Sequence, residues 1–243
     1  MDSDDFLAAT ARDGEAFADA CAAAGLDSRV ASCPGWSVAD LLWHLAEVHY
    51  FWRVIVSEQR DTWEGYVEPI RPADADLLVF YREGLRDTLD VLTAADPAQQ
   101  NWTWSDDHTA GFVIRRMAHE TAVHCSDAQL AAGLPASVEA HLASDGIDEF
   151  LHHFLGGPTG SEPIGGSVHL HCTDVAGEWT LHPHDSDDEP FVVTREHAKG
   201  DCALRGSAND LLMALWRRAP LSTVDVVGDA AVAERFIALS PLT

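Results

Sequence analysis

A long helical run that carries ionisable side chains on its apolar side most constrains this chain. No Pro or Gly occurs in residues 112–132, and Gly133 follows directly, as is typical beyond the end of a helix. On such a helix Glu120 and His124 project from one side, and Asp127 continues that side one turn further. Apolar neighbours direct this side inward, where a carboxylate and an imidazole are costly to bury unless something compensates them.

A divalent metal ion is one compensation for Glu120 and His124, provided that another part of the chain supplies a third ligand. A buried Glu–His hydrogen bond or a solvated polar stripe explains the same pair without a metal. The spacing is not the H-E-x-x-H of zinc proteases, because His119 and His124 diverge by about 140° on a helix. The pair that can share an ion is therefore Glu120 with His124.

The charge and the cysteines of the chain exclude several classes of function. The 243 residues carry a formal net charge of −25, which argues against binding nucleic acid or an anionic membrane through a general basic patch. An anionic substrate would need a local cluster of Arg. The N terminus is acidic, the five cysteines are widely spaced, and no apolar run approaches the ~20 residues that span a bilayer. We expect a cytoplasmic protein with reduced thiols.

Helical periodicity dominates residues 1–156 and predicts a four-helix bundle. Its four helices are predicted to end at about Ala24, to begin at the capping sequence Ser37-Val-Ala-Asp40, and to span about 74–94 and 112–132. A fifth helix is predicted over about 137–155. His44 lies in the apolar stripe of the second helix, where a His is more often a hydrogen-bonded core residue than a ligand. His49, about 140° away, is expected on or near the surface.

The pattern changes after the Gly-rich stretch 156–166, which is typical of a linker. Short runs then alternate apolar and polar residues, as half-buried antiparallel strands do. With two further helices they predict a small α+β domain over residues 166–243. Several histidines would point outward from these strands. A second metal site is one interpretation, but polar positions on a solvated sheet face are the simpler one; these residues are His169, His171, His182 and His184.

Three stretches resemble a known family. Residues 34–45, Pro-Gly-Trp-Ser-Val-x-x-Leu-Leu-x-His-Leu, resemble the second-helix signature of DinB-like metal-binding bundles. Residues 116–127, Arg-x-x-x-Glu-x-x-x-His-x-x-Asp, resemble the matching helix of the mycothiol-dependent maleylpyruvate isomerases of actinobacteria. Residues 204–218 and 226–236 resemble the sterol-carrier-like C-terminal domain of that family. The resemblance covers both domains in the right order and implies a two-domain α+β protein.

Carried over to this chain, the resemblance implies a zinc site formed by His44, Glu120 and His124. Three protein ligands leave an open position, as expected of a catalytic zinc, although nickel or iron would also suit these donors. Asp127 is suited to hold an imidazole N–H outside the ligand shell. Arg116 and Arg218 are candidates to bind an anionic substrate.

The resemblance further implies a thiol chemistry. In the family, the thiolate of mycothiol adds to the double bond of maleylpyruvate, allows rotation and leaves. A small thiol and a small electrophile are thus the expected partners, in isomerisation or sulfur transfer. A metal-dependent hydrolase that uses bound water is an alternative. A non-enzymatic carrier of lipids or other small ligands is another.

Overall fold

The computed structural model describes residues 1–155, 164–184 and 191–239, which form two compact units. The units divide between Val138 and Glu139. The sequence-based boundary was later in the chain, with the bundle ending at residue 156. Most of the predicted linker 156–166 lies outside the described residues.

The first unit contains the predicted four-helix bundle. Its helices are α1 (Ser3–Ala24), α2 (Val38–Ser57), α3 (Leu77–Ala94) and α4 (Ala110–Ala131). The capping box predicted at the start of α2 is present: the Ser37 hydroxyl accepts from the Asp40 backbone N–H, and the Asp40 side chain accepts from the Ser37 backbone. Both α1 and α2 pack against α4, so most of α4 is buried. This packing brings the polar residues of α4 into the bundle interior.

His49 corrects one expectation from the sequence. It is fully buried rather than near the surface, and its Nε2 lies 2.9 Å from the Thr121 hydroxyl. Because α2 packs against both α3 and α4, its buried surface extends well beyond a single apolar stripe. Burial lowers the pKa of His49 to about 4, so the ring is neutral at physiological pH.

The second unit begins with α5 (Ala140–His153) and continues into a five-stranded sheet. The strands, in chain order, are β1 (Val168–Cys172), β2 (Glu178–Pro183), β3 (Phe191–Thr194), β4 (Cys202–Gly206) and β5 (Asp225–Gly228). The order across the sheet is β3-β2-β1-β4-β5, and only β1 and β4 run parallel. Two helices, α6 (Ala208–Leu215) and α7 (Ala230–Leu239), complete the unit. The α+β class predicted for the chain is confirmed.

Aromatic packing explains why α5 belongs to the second unit. The ring of Phe150 on α5 meets that of Trp216 edge-on, with the ring centroids 4.9 Å apart. Buried aromatic pairs of this kind contribute beyond the area that they remove from water. None of the helices in the described ranges is long and apolar enough to cross a membrane.

A buried carboxylate on α5 joins the helix to the sheet. Asp148 accepts from the Trp179 indole N–H at 3.1 Å and from Arg195 Nε at 2.9 Å. Burial opposes ionisation, but the hydrogen bonds from Arg195 and Trp179 outweigh it and lower the pKa of Asp148. The charged form of Asp148 therefore stabilises the fold.

We expect Asp148→Asn to lower the free energy of unfolding by about 1.5–3 kcal/mol at pH 7, the usual contribution of a hydrogen bond to a charged group. Because the folded-state pKa is depressed, this contribution is complete above the unfolded pKa of about 4 and is lost as pH falls through the folded value. The difference between the two proteins in urea unfolding should thus shrink below about pH 4.

Asp225→Asn is the matched control. Asp225 pairs with Arg205 at 3.8 Å, and these side chains are 75% and 56% exposed. An exposed pair contributes little, so the control should change stability by less than about 1 kcal/mol. Equal effects of the two substitutions would contradict the assignment of Asp148.

Candidate metal centre

Two helices of the first unit bring three metal-ligand side chains together. His44 comes from α2, whereas Glu120 and His124 come from adjacent turns of α4. Glu120 Oε1 lies 3.2 Å from His44 Nε2 and 3.2 Å from His124 Nε2. One donor atom from each residue fits within a group no wider than 4.8 Å. His44 therefore contacts Glu120 as a hydrogen-bonded histidine does, and the same contact places it among the candidate ligands.

Asp127 orients one of these histidines. Its Oδ2 lies 2.9 Å from His124 Nδ1, and its Oδ1 accepts from the Ser32 hydroxyl at 2.6 Å. Asp127 is almost completely buried, so both contacts are shielded from water. With Nδ1 held by a carboxylate, His124 presents Nε2 to the group, which is the arrangement found around metal-bound imidazoles.

Arg116 is also buried, and its guanidinium pairs with Glu120 Oε2 one turn along α4. Glu120 thus has one oxygen on Arg116 and the other between the two imidazoles. This places Arg116 behind a candidate ligand, where it orients the carboxylate.

The electrostatics of the group favour a cation. Burial opposes ionisation of Glu120, but Arg116 and His124 outweigh it and hold its pKa well below the usual range. Burial also opposes charge on His124, yet Glu120 and Asp127 raise its pKa to about 9. Two carboxylates therefore face one guanidinium, and the remaining negative charge stabilises a positive charge at the imidazoles.

The donor set fits a divalent transition metal. Two imidazole nitrogens and one carboxylate oxygen suit zinc, and also nickel or iron. The His44 side chain is 33% exposed, whereas those of Glu120 and His124 are 15% and 9% exposed. The group is thus most exposed at His44, and a metal held by these three side chains would have a coordination position left for a small molecule.

Cys33, in the loop before α2, is a further residue at this group that the sequence pattern did not indicate. Its thiol lies 3.8 Å from Asp127 Oδ2, and its sulfur belongs to a second group of candidate ligands with His124 and Asp127. No local motif indicated this contact, because it joins a loop to a helix far along the chain. Cys125, which follows a candidate ligand, lies in the hydrophobic core, where burial raises its pKa to about 12.

Arg218 lies in the second unit, whereas the three candidate ligands lie in the first. It is half-buried, its Nη1 donates to the Trp216 carbonyl at 3.0 Å, and its guanidinium lies 5.7 Å from the centre of the Trp216 ring. Binding of an anionic substrate by Arg218 stays a prediction.

We expect Asp127→Asn to weaken metal binding at this centre by about 10–100-fold, because the amide no longer holds the His124 ring with a full charge. The affinity is measured by competition with a chromophoric chelator. The amount of metal that the His124→Ala variant still binds is taken as the background of this measurement.

The control is Asp90→Asn, an exposed acid on α3 that removes the same charge. Its affinity should match that of the wild type. If Asp127→Asn binds metal as tightly as Asp90→Asn does, Asp127 does not support a metal ligand.

Both parts of the chain match sequence models of one protein family. The model of the mycothiol maleylpyruvate isomerase N-terminal domain matches residues 7–129, and the C-terminal domain model of that family matches residues 141–235. A comparison with curated protein sequences gave no match.

Two solved structures share the fold. A crystal structure of the mycothiol-dependent maleylpyruvate isomerase is 10% identical, with a TM-score of 0.62 and 93% of each chain covered. A histidine-to-alanine mutant of that enzyme gives a TM-score of 0.61 at the same identity and coverage. At this identity the likeness concerns the fold alone, whereas the two family models together cover most of the sequence. The chain belongs to the mycothiol maleylpyruvate isomerase family.

Proposed function

We propose that this protein is a metal-dependent enzyme that uses mycothiol in an isomerisation or a sulfur transfer on a small electrophile. The observation that carries the proposal is the convergence of His44 Nε2, His124 Nε2 and Glu120 Oε1, with an exposed edge at His44. Membership of a family named for a mycothiol-dependent isomerase supplies the identity of the thiol.

Zinc bound by these three side chains would lower the pKa of a thiol and hold it as the thiolate near neutral pH. Only a few per cent of a free thiol with a pKa of about 8.5 is ionised at pH 7. The two residues behind the ligands keep them in place: Asp127 holds the His124 ring, and Arg116 holds the Glu120 carboxylate. Both are buried, so neither depends on solvent for its orientation.

The isomerisation balances without an oxidant or a reductant. The thiolate sulfur adds to the conjugated carbon–carbon double bond of the substrate, and the electron pair moves onto the carbonyl oxygen. Rotation then occurs about the new single bond. The pair returns, the double bond re-forms in the other configuration, the carbon–sulfur bond breaks and the thiolate is released. In a sulfur transfer, the carbon–sulfur bond remains. Either a leaving group departs from the substrate with the electron pair, or the electron pair takes up a proton at carbon.

An external thiol suits the proposed chemistry better than Cys21 or Cys125, which are poor nucleophiles. Burial raises the pKa values of Cys21 and Cys125 to about 12, so their thiols stay protonated. The Cys33 thiol lies 3.8 Å from Asp127 Oδ2, beside the candidate ligands. This distribution of thiols favours a cosubstrate over an internal cysteine.

The proposed substrate is a small anionic electrophile. The protein carries a net charge of −25, so an anion needs a local cation to bind. Arg116 pairs with Glu120, which favours a positioning role for it. We propose Arg218 as the cation that binds the substrate, as the sequence resemblance implies.

We expect mycothiol to change the visible spectrum of the cobalt-substituted protein by forming a sulfur–metal bond. His124→Ala should abolish this change, because it removes a ligand of the metal. His108→Ala, an exposed histidine of the same unit, is the control and should behave as the wild type does. An unchanged spectrum at saturating mycothiol would rule out the thiol mechanism.

Substrate turnover separates this proposal from the alternatives. Hydrolysis of esters or amides without added thiol would favour a metal hydrolase. Tight lipid binding that is insensitive to chelators would favour a carrier.

We expect Arg218→Gln to lower kcat/KM for an anionic electrophile by about tenfold or more, the effect of losing a hydrogen bond between charged groups. The cobalt spectrum with mycothiol should not change, since the metal ligands lie elsewhere. Arg217→Gln, at the exposed neighbouring position, is the control. Equal losses in both variants would argue against a specific role for Arg218.

A further inference from the structure

The sheet of the second unit places three metal-ligand side chains on one face. His169 and His171 are two residues apart on β1, so both point to the same side of the strand. Antiparallel pairing sets Glu178 of β2 directly opposite His171, on the same face. The apolar residues Leu170 and Cys172 of β1 point to the other side and are buried.

The topology brings a fourth ligand over this face. Strand β3 is next to β2, whereas β4 is on the far side of β1, so the connection 195–201 must cross two strands. The crossing segment carries His197. It also passes very close to β1, because a Cβ built on Gly200 would lie 3.0 Å from the His169 backbone nitrogen. His197 is thus held above β1 by the course of the chain.

The four side chains form a compact group. Glu178 Oε1 lies 2.5 Å from His171 Nδ1 and 3.0 Å from His197 Nδ1. The ring centroid of His169 is 5.9 Å from that of His171 and 5.1 Å from that of His197. One donor atom from each of the four residues fits within a group no wider than 4.8 Å.

His169 shows that this face is more than a row of solvated polar residues. Its side chain is 7% exposed, and its Nε2 has no hydrogen-bond partner among the residues that the structure describes. A buried polar atom without a partner is unfavourable, because it has lost its hydrogen bonds to water. A cation placed between the other three donors would satisfy this nitrogen.

We propose that His169, His171, Glu178 and His197 form a second metal site, which takes a divalent transition ion such as zinc. Three imidazoles and one carboxylate suit zinc, nickel or copper rather than magnesium or calcium, which prefer all-oxygen sites. Four protein ligands complete a tetrahedral shell, so this site is structural. Its role is to fix the crossing connection to the sheet, independently of the function proposed for the first unit.

The sequence left two interpretations of the outward histidines open, a second metal site and a solvated sheet face. Only two of the four outward histidines join the group, and Glu178 and His197 take the other places. His182 and His184 are exposed and lie outside it. His182 on β2 is therefore a natural control.

The test uses the full chain with His44→Ala and His124→Ala, so that the first centre is disabled. The protein is freed of metal by a chelator and titrated with zinc in a calorimeter. We expect about one equivalent to bind. Adding Glu178→Gln removes a proposed ligand and should weaken zinc binding strongly. The loss should exceed the roughly 10–100-fold that removal of a residue outside the ligand shell costs. Adding His182→Ala should leave it unchanged.

His197→Ala gives a second, milder variant. The His197 side chain is 75% exposed, so its removal should not affect folding. In an otherwise unaltered chain it should lower the bound zinc by about one equivalent. The proposal is overturned if the chain with the disabled first centre binds no zinc. It is also overturned if Glu178→Gln and His197→Ala bind zinc as the His182→Ala control does.

Discussion

The first unit depends on the burial of two carboxylates, Glu120 and Asp127, on one helix that is packed from several sides. Charges in such a place must be matched, and the chain does so with Arg116 at one carboxylate and His124 between the two. Since Arg116 balances one carboxylate, the second stabilises a positive charge at the imidazoles, and a proton on His124 supplies that charge. The contacts of Arg116 and Asp127 also orient Glu120 and His124, the candidate metal ligands.

Much of the fold follows from local sequence rules. The capping box at Ser37 and the uninterrupted run over 112–132 place α2 and α4, and two-residue alternation places the strands. Periodicity does not say which unit a helix joins. The contact of α5 with Trp216, an aromatic residue much later in the chain, is not visible in the sequence pattern. For the same reason His49 was expected on the surface although two helices cover it.

The candidate sites show the same limit. Helical spacing predicted that Glu120 and His124 share a face, but only the resemblance to a family supplied His44 from another helix. The contact of Cys33 with Asp127 and the position of His197 over β1 arise from long-range packing and from the crossing connection. Neither has a local signal, because each joins segments that the sequence pattern treats separately.

X-ray absorption at the zinc edge tests the central claim most directly, namely that a metal held by His44, Glu120 and His124 accepts a thiol. The sample is the chain with His197→Ala and Glu178→Gln, which confines zinc to the first centre. Without thiol we predict only nitrogen and oxygen neighbours, and with mycothiol a sulfur at about 2.3 Å from the zinc. A chain that retains no zinc, or a zinc spectrum without sulfur at saturating mycothiol, would contradict the account.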